Sequence, residues 1–408
     1  MRNPADLPFS IIETGKARRT GFAFDERCLS FSSFPETSER VSRIRERLKQ
    51  SGLLKRMARI EPVADPLASI RRVHTDETVR AVRGLPGAGQ AAFAAVGAIL
   101  GAVRDVAQGK VQNAFCAVRP PGHHAPVSPW QDSFCFLSNA AVAARYAQEA
   151  CGIPRVLIVD WDFHHGNGTE EIFYRDDSVL FFSTHHAGAY PRTGDPSRTG
   201  EGPGAGTTVN VHLDAGSGDP EMDEAWENLL LPKVREFKPG LLIISAGFDS
   251  RAGDPLGCFT VTDAGFAALT DKAVRFMEEY GDGRIVSVLE GGYDIEGLSC
   301  GAAAHAASLM GFGVEPVSPA DAEAAAGVLK PLCRYGWLYW PKGLPLRDVH
   351  LAIHRQDGAF LYAADPAGFR FGALNIKRPD LASGGYFVRI ESGAFETLEL
   401  PFRYSRNG

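Results

Sequence analysis

Up to about residue 312 the apolar positions of the chain follow two alternating rhythms. Val41, Ile44 and Leu48 recur at helical spacing in "ETSERVSRIRERLKQ" (36–50), whose other residues are good helix formers. "AAFAAVGAILGAVRDVAQG" (91–109), rich in alanine and closed by Gly109, predicts a second helix. Short apolar runs then alternate with helical stretches. "NAFCAV" reads as a strand, "NAAVAARYAQEA" as a helix and "RVLIVDWD" as a strand. "SVLFFST", "TTVNVHL", "GLLIISAG" and "RIVSVLEGG" are further strands, with helices in "DEAWENLLLPKVREF" and "AGFAALTDKAVRFMEEY". Strands apolar on both faces, alternating with helices, predict an α/β fold with a parallel sheet covered on each side. The rhythm breaks at "GVEPVSPADAEAAAG" (313–327). Beyond it, "DVHLAIHRQDGAFLYAAD" alternates around an Asp-Gly turn, and "GGYFVRIESGAFETLELPFRY" has the same look; both predict hairpins with one buried face. Three regions are expected: 1–315, a linker or helix at 316–334, and a β-rich C-terminal extension at 335–408.

A length of 408 residues exceeds what one core usually serves, which agrees with that division. A net charge of −6 without a long basic run argues against nucleic acid as a direct ligand. The start of the chain lacks the apolar stretch of a signal peptide, and apolar residues nowhere run uninterrupted for a membrane span, so no membrane association is expected. The seven cysteines, Cys28, Cys116, Cys135, Cys151, Cys258, Cys300 and Cys333, form no CxxC pair and read as free core thiols of a cytoplasmic protein.

Five polar clusters follow predicted strands: "RPPGHHA", "DWDFHHGNG", "STHHAGAYPRTG", "SAGFDSRAGDPLG" and "LEGGYD". Ligands of open α/β sheets gather at the carboxyl ends of the strands. One aspartate there is more simply a helix cap or turn former; five clusters on one edge are not. Asp162, His164 and Asp249 form a mixed oxygen and nitrogen set suited to zinc, and three protein ligands leave a position open, as in catalytic sites. His123 and His124 supply two imidazoles from another loop, with Asp160 and Asn167 left to orient them. Tyr293 follows Gly291 and Gly292; taken alone, it is more simply a core tyrosine. His74, His185, His186, His212, His305, His350 and His354 read as structural or surface residues.

In order and spacing these motifs, with "TGFAFDERCLSF", "SFPETSERVSRI", "RRVHTDETV" and "SFCFLSNAAVAA", resemble the zinc-dependent histone deacetylase family, including its bacterial acetylpolyamine amidohydrolase relatives. The likeness spans roughly three-quarters of the chain and, through Asn167 and the "LEGGY" form, leans toward class II. It implies an arginase-like three-layer α/β/α fold with a mostly parallel eight-stranded sheet. It also implies that Asp162, His164 and Asp249 bind one zinc, that His123 and His124 are catalytic with Asp160 and Asn167 as partners, and that Tyr293 polarises the substrate carbonyl. Phe134 and Tyr190 would wall an acyl-lysine tunnel with Leu256 at its rim, and Asp160, Asp162, His164 and Ser183 would hold a structural potassium ion.

Four features depart from the family. Phe34 replaces a histidine before Pro35-Glu36, read as a change of packing; Ser133 replaces a glycine and should narrow the tunnel. The loop after His74 is short, and the C-terminal extension matches nothing assignable. The expected function is hydrolysis of acetyl or related acyl groups from acyl-lysine peptides, proteins or small acylated amines. Acetylpolyamine deacetylation is the alternative, although Leu256 offers a polyamine ammonium nothing, and Arg251 and Asp254 read as surface or loop-fixing residues. An arginase-type ureohydrolase would need a second metal ligand two residues beyond Asp249, which is absent; a non-catalytic acyl-lysine binding protein or scaffold would not need the intact set. The extension is expected to join protomers into a homo-oligomer or to cover an edge of its own chain.

Overall fold

Every residue of the run Val156–Asp160 is buried, as a strand covered on both faces requires. In this computed structural model, which describes residues 7–128, 133–316, 332–334, 337–339, 349–366, 373–375, 384–392 and 395–404, that run lies within an eight-stranded sheet. The strands in chain order are β1 (Phe9–Glu13), β2 (Thr20–Ala23), β3 (Ala58–Arg59), β4 (Asn113–Cys116), β5 (Val156–Asp160), β6 (Val179–His186), β7 (Thr208–Leu213), β8 (Leu241–Ala246), β9 (Ile285–Leu289) and β10 (Phe312–Pro316). The sheet runs β3-β2-β4-β9-β8-β5-β6-β7 with every pairing parallel, while β1 and β10 form a separate antiparallel ribbon.

Ten helices flank it among the described residues: α1 (Glu39–Gln50), α2 (Leu67–Ile70), α3 (Asp76–Arg83), α4 (Ala88–Ala107), α5 (Asn139–Cys151), α6 (Asn167–Phe173), α7 (Asp219–Ala225), α8 (Leu231–Phe237), α9 (Asp263–Tyr280) and α10 (Ile295–Leu309). Side chains alternate across a strand, so β5 feeds two cores. Leu157 and Val159 pack with α1, α9 and α10 on one face, and Val156 and Ile158 with α4 and α5 on the other. Helix α4 has the length and apolarity of a membrane span, yet 78% of its most apolar window is buried, which makes it a core helix.

Two local differences from the sequence reading have physical causes. The helix expected across 223–237 is broken by a π-turn at Trp226–Leu230, ahead of Pro232, which has no amide hydrogen to continue the helical ladder. Helix α10 was not foreseen because it is buried almost all round and so has no polar stripe to mark its period.

Most of the expected 316–334 linker, residues 317–331, lies outside the described residues. The extension contains β11 (Leu332–Arg334), β12 (Trp337–Tyr339), β13 (His350–Arg355), β14 (Phe360–Ala364), β15 (Ala373–Asn375), β16 (Gly384–Ser392) and β17 (Phe395–Tyr404). Both expected hairpins form, β13 with β14 and β16 with β17, within a sheet ordered β14-β13-β16-β17. Leu338, Val349, Leu351, Ile353, Leu374, Tyr386, Val388 and Ile390 build a core of their own. Ile353→Ala should therefore destabilise the extension by about 2–5 kcal/mol. Calorimetry should show its transition moving down while that of the larger unit stays; a single transition shifting as a whole would mean that the cores melt together.

Candidate active site

The chain crosses from β4 to β5 over the positions later filled by β9 and β8, so four carboxyl ends lie side by side. That crossover is where open α/β sheets place ligands. Asp162 and His164 come from the end of β5 and Asp249 from the end of β8; one ligand atom from each lies within 4.8 Å of the others. His164 Nδ1 is 3.1 Å from Asp162 Oδ1 and 3.0 Å from Asp249 Oδ2. Backbone amides complete the cradle: His164 and Gly291 donate to Asp162 at 2.9 and 2.8 Å, and Phe163 donates to Asp249 at 2.9 Å. A Cβ on Gly247 would run into the Asp162 carboxylate, and one on Gly291 into that of Asp249. Burial opposes charge on His164, but its bonds to Asp162 and Asp249 push its pKa up to about 10, and burial with the Asp162 charge pushes Asp249 up to about 7. Two buried carboxylates meeting on one imidazole nitrogen fit a borderline divalent cation.

The adjacent histidines have unlike partners. His123 Nδ1 is 3.0 Å from Asp160 Oδ2, and His124 Nδ1 is 2.8 Å from Asn167 Oδ1; the rings lie 3.9 Å apart. Burial disfavours the charged form of His123, yet Asp162 and Asp160 outweigh it and hold its pKa well above the ordinary range. Burial, reinforced by His123 and His164, holds His124 well below it.

Tyr293 sits among supports that the sequence reading missed. The guanidinium of buried Arg40 lies 4.9 Å from its ring and donates to the carbonyls of Gly292 and Glu290 at 2.6 and 2.5 Å. Glu36 pairs with Arg40 at 2.9 Å and also with Arg119, which in turn anchors the carbonyls of Cys28 and Phe31. Glu36 and Arg40 lie in "SFPETSERVSRI" and Arg119 opens "RPPGHHA", but nothing in either stretch marks them as buried, because a Glu and an Arg four residues apart are common on exposed helices. Burial pushes the Tyr293 phenol well above its usual range despite Arg40, so it stays a hydrogen-bond donor. Asp254, 2% exposed and thus not a surface residue, takes the amides of Tyr293 and Asp294 through one oxygen and that of Leu256 through the other. Arg251 fixes its own loop through Asp263 at 2.8 Å.

Phe134 lies 6.3 Å from the Tyr293 ring, and Tyr190 stands edge-on to His124 at 5.0 Å. Ser133 Oγ accepts from the Cys135 amide at 3.2 Å, within its own segment. Phe34 is 82% exposed, so its difference from the family is not one of packing. Ser183 pairs in register with Asp160, and its hydroxyl meets His185 Nδ1 at 2.9 Å. His165, adjacent to His164, turns away to Thr193 Oγ1 at 2.7 Å. Cys28, Cys116, Cys135, Cys151, Cys258 and Cys300 are free thiols.

Fold and site together define an α/β protein whose all-parallel central sheet holds an Asp–His–Asp cluster beside tandem histidines. The histone deacetylase domain matches residues 34–309, and the chain belongs to the histone deacetylase family. It is 38% identical over 298 residues to a probable deacetylase of Archaeoglobus fulgidus, covering 68% of this chain and 82% of that one. It is 36% identical to histone deacetylase 15 of Arabidopsis thaliana over 79% of this chain and 63% of the relative, and it spans 48% of histone deacetylase 5 of the same plant. The crystal structure of the HDA15 HD domain superposes with a TM-score of 0.69 at 37% identity, covering 76% of this chain and 92% of that chain.

His74 is structural: Nδ1 donates to the Pro126 carbonyl at 3.0 Å, and Nε2 accepts the Ser138 amide at 2.9 Å. Protonation would set a second N–H against that amide, and burial lowers the His74 pKa to about 4. The unfolded state, with a pKa of about 6.5, binds the proton first as pH falls, so stability drops between about pH 6.5 and 4, by about 3 kcal/mol for this residue. His74→Gln should reduce the pH slope of stability in that window by up to about one proton in denaturant titrations. An unchanged slope would mean that His74 titrates normally.

Proposed function

We propose that this protein is a zinc-dependent amidohydrolase that removes acetyl or related acyl groups from acyl-lysine. The observation that carries the reading is the Asp162–His164–Asp249 cluster beside two histidines of opposite charge preference. A zinc ion bound there supplies Lewis acidity toward the amide carbonyl and lowers the pKa of water. His124 directs Nδ1–H at Asn167, so its Nε2 is free to accept the proton of the attacking water and pass it to the leaving amine. His123, held by Asp160, keeps a positive charge beside the developing oxyanion, toward which the Tyr293 hydroxyl donates. Phe134 and Tyr190 exclude water from the aliphatic chain and gain about 0.8 kcal/mol per buried methylene. A potassium ion near Asp160, Asp162, His164 and Ser183 is proposed as a structural companion.

Asp249→Ala should lose both metal, read by mass spectrometry, and turnover of an acetyl-lysine fluorogenic peptide. Tyr293→Phe should keep the metal and lower kcat about 10²–10³-fold. A metal-bearing, active Asp249→Ala protein would sink the assignment.

For substrate choice, the partly buried apolar side chain of Leu256 supports acyl-lysine or another neutral-chain amide over acetylated polyamines. With acetyl-lysine peptide and acetylputrescine in competition, the peptide should show the higher kcat/KM. The reverse ranking would favour polyamine deacetylation.

A further inference from the structure

Beside the cluster just described lies a second convergence of donors, of which the proposed reaction uses only His123. A ring nitrogen of His123, Sγ of Cys135 and a carboxylate oxygen of Glu290 lie within 4.8 Å of one another, and all three residues are buried. His123 arrives from the loop after β4, Cys135 from the segment behind Phe134, and Glu290 from the end of β9. Glu290 Oε2 accepts the amides of Gly122 and His123 at 2.6 and 3.1 Å. Its other oxygen, Oε1, is buried with no hydrogen-bond partner. A buried carboxylate oxygen in that position calls for a proton or a cation. Burial pushes the Glu290 carboxyl up to about 7, so near neutral pH a cation competes with a proton for that oxygen, and the buried carboxylates of Asp162 and Asp160 beside His123 add negative charge.

We propose that His123, Cys135 and Glu290 form a second, inhibitory site for a thiophilic divalent cation such as zinc or cadmium, distinct from the Asp162–His164–Asp249 cluster. Imidazole nitrogen, thiolate and carboxylate oxygen suit those ions, whereas magnesium and calcium take oxygen alone. Binding forms metal–sulfur and metal–nitrogen bonds and releases to solvent one proton from the Cys135 thiol and one from the His123 imidazolium. Burial raises the Cys135 thiol well above its usual range, so its proton is costly to remove and the site fills only after the first. Asp160 already holds His123 Nδ1, so a metal must take Nε2 or break that bond. Either way the imidazole is withdrawn from its place beside the oxyanion. The inhibition rests on the functional reading above; the binding does not.

The test starts from full-length protein carrying one zinc and freed of excess. Equilibrium dialysis against zinc should show a second ion per chain, and cadmium should produce an ultraviolet metal–thiolate absorption band. Acetyl-lysine turnover should fall as the second ion binds. Cys135→Ser should keep the first zinc and its turnover, lose the band, and need at least about tenfold more zinc for equal inhibition. In the wild-type protein, the second zinc should shield Cys135 from alkylation mapped by mass spectrometry, a readout independent of any variant's folding. One metal per wild-type chain, an unshielded Cys135, or a band and inhibition unchanged in Cys135→Ser would each overturn the proposal. If no acyl-lysine is turned over, the functional reading fails, while stoichiometry, band and shielding still decide the site.

Discussion

Four carboxyl groups, those of Asp160, Asp162, Asp249 and Glu290, are buried to 0% exposure at the carboxyl end of one sheet. Charge removed from water is stable only when each group has a designated partner. The surrounding chain can be understood as the supply of those partners: backbone amides from residues 122, 123, 162, 163, 164 and 291, and imidazoles from His123 and His164. Glycines at 247 and 291 are needed because the carboxylates lie where a Cβ would be.

The same constraint separates two chemically identical histidines. Burial disfavours charge on both rings, but the carboxylates of Asp162 and Asp160 favour a proton on His123, whereas His123 and His164 disfavour a second one on His124. Divergent pKa values in a tandem pair are a physical basis for dividing the labour of acid–base chemistry. Their precision depends on a rigid frame. Glu36, Arg40 and Arg119 provide it, since each is fully buried and each bonds to the backbone or side chain of another loop around the site. Removing Glu36 would leave two guanidiniums without their shared carboxylate, and breaking such a buried pair typically costs about 3–5 kcal/mol. The frame is thus a point where stability and site geometry are the same property.

The C-terminal extension obeys a different logic. Strands β13 and β16 alternate buried and partly exposed positions, and the extension has a small core of its own. Nothing in that core is shared with the two large clusters that flank the eight-stranded sheet.

Read alone, the sequence determined the α/β class, the parallel central strands, both C-terminal hairpins and the residue types gathered after the strands. These are local properties: apolar runs, turn residues, and polar groups placed just after strands. Only the tertiary structure decided which of those polar groups meet. It set His164 between carboxylates from β5 and β8 and turned the adjacent His165 toward Thr193. It also buried Arg40, Arg119 and Glu290, which carry no local mark of burial because charged residues ordinarily face water. The reason is sequence distance: Glu290 lies 168 residues from Gly122, and Arg40 lies 252 from Gly292. Such pairs are fixed by the order in which parallel strands stack, and no window of the chain contains that order.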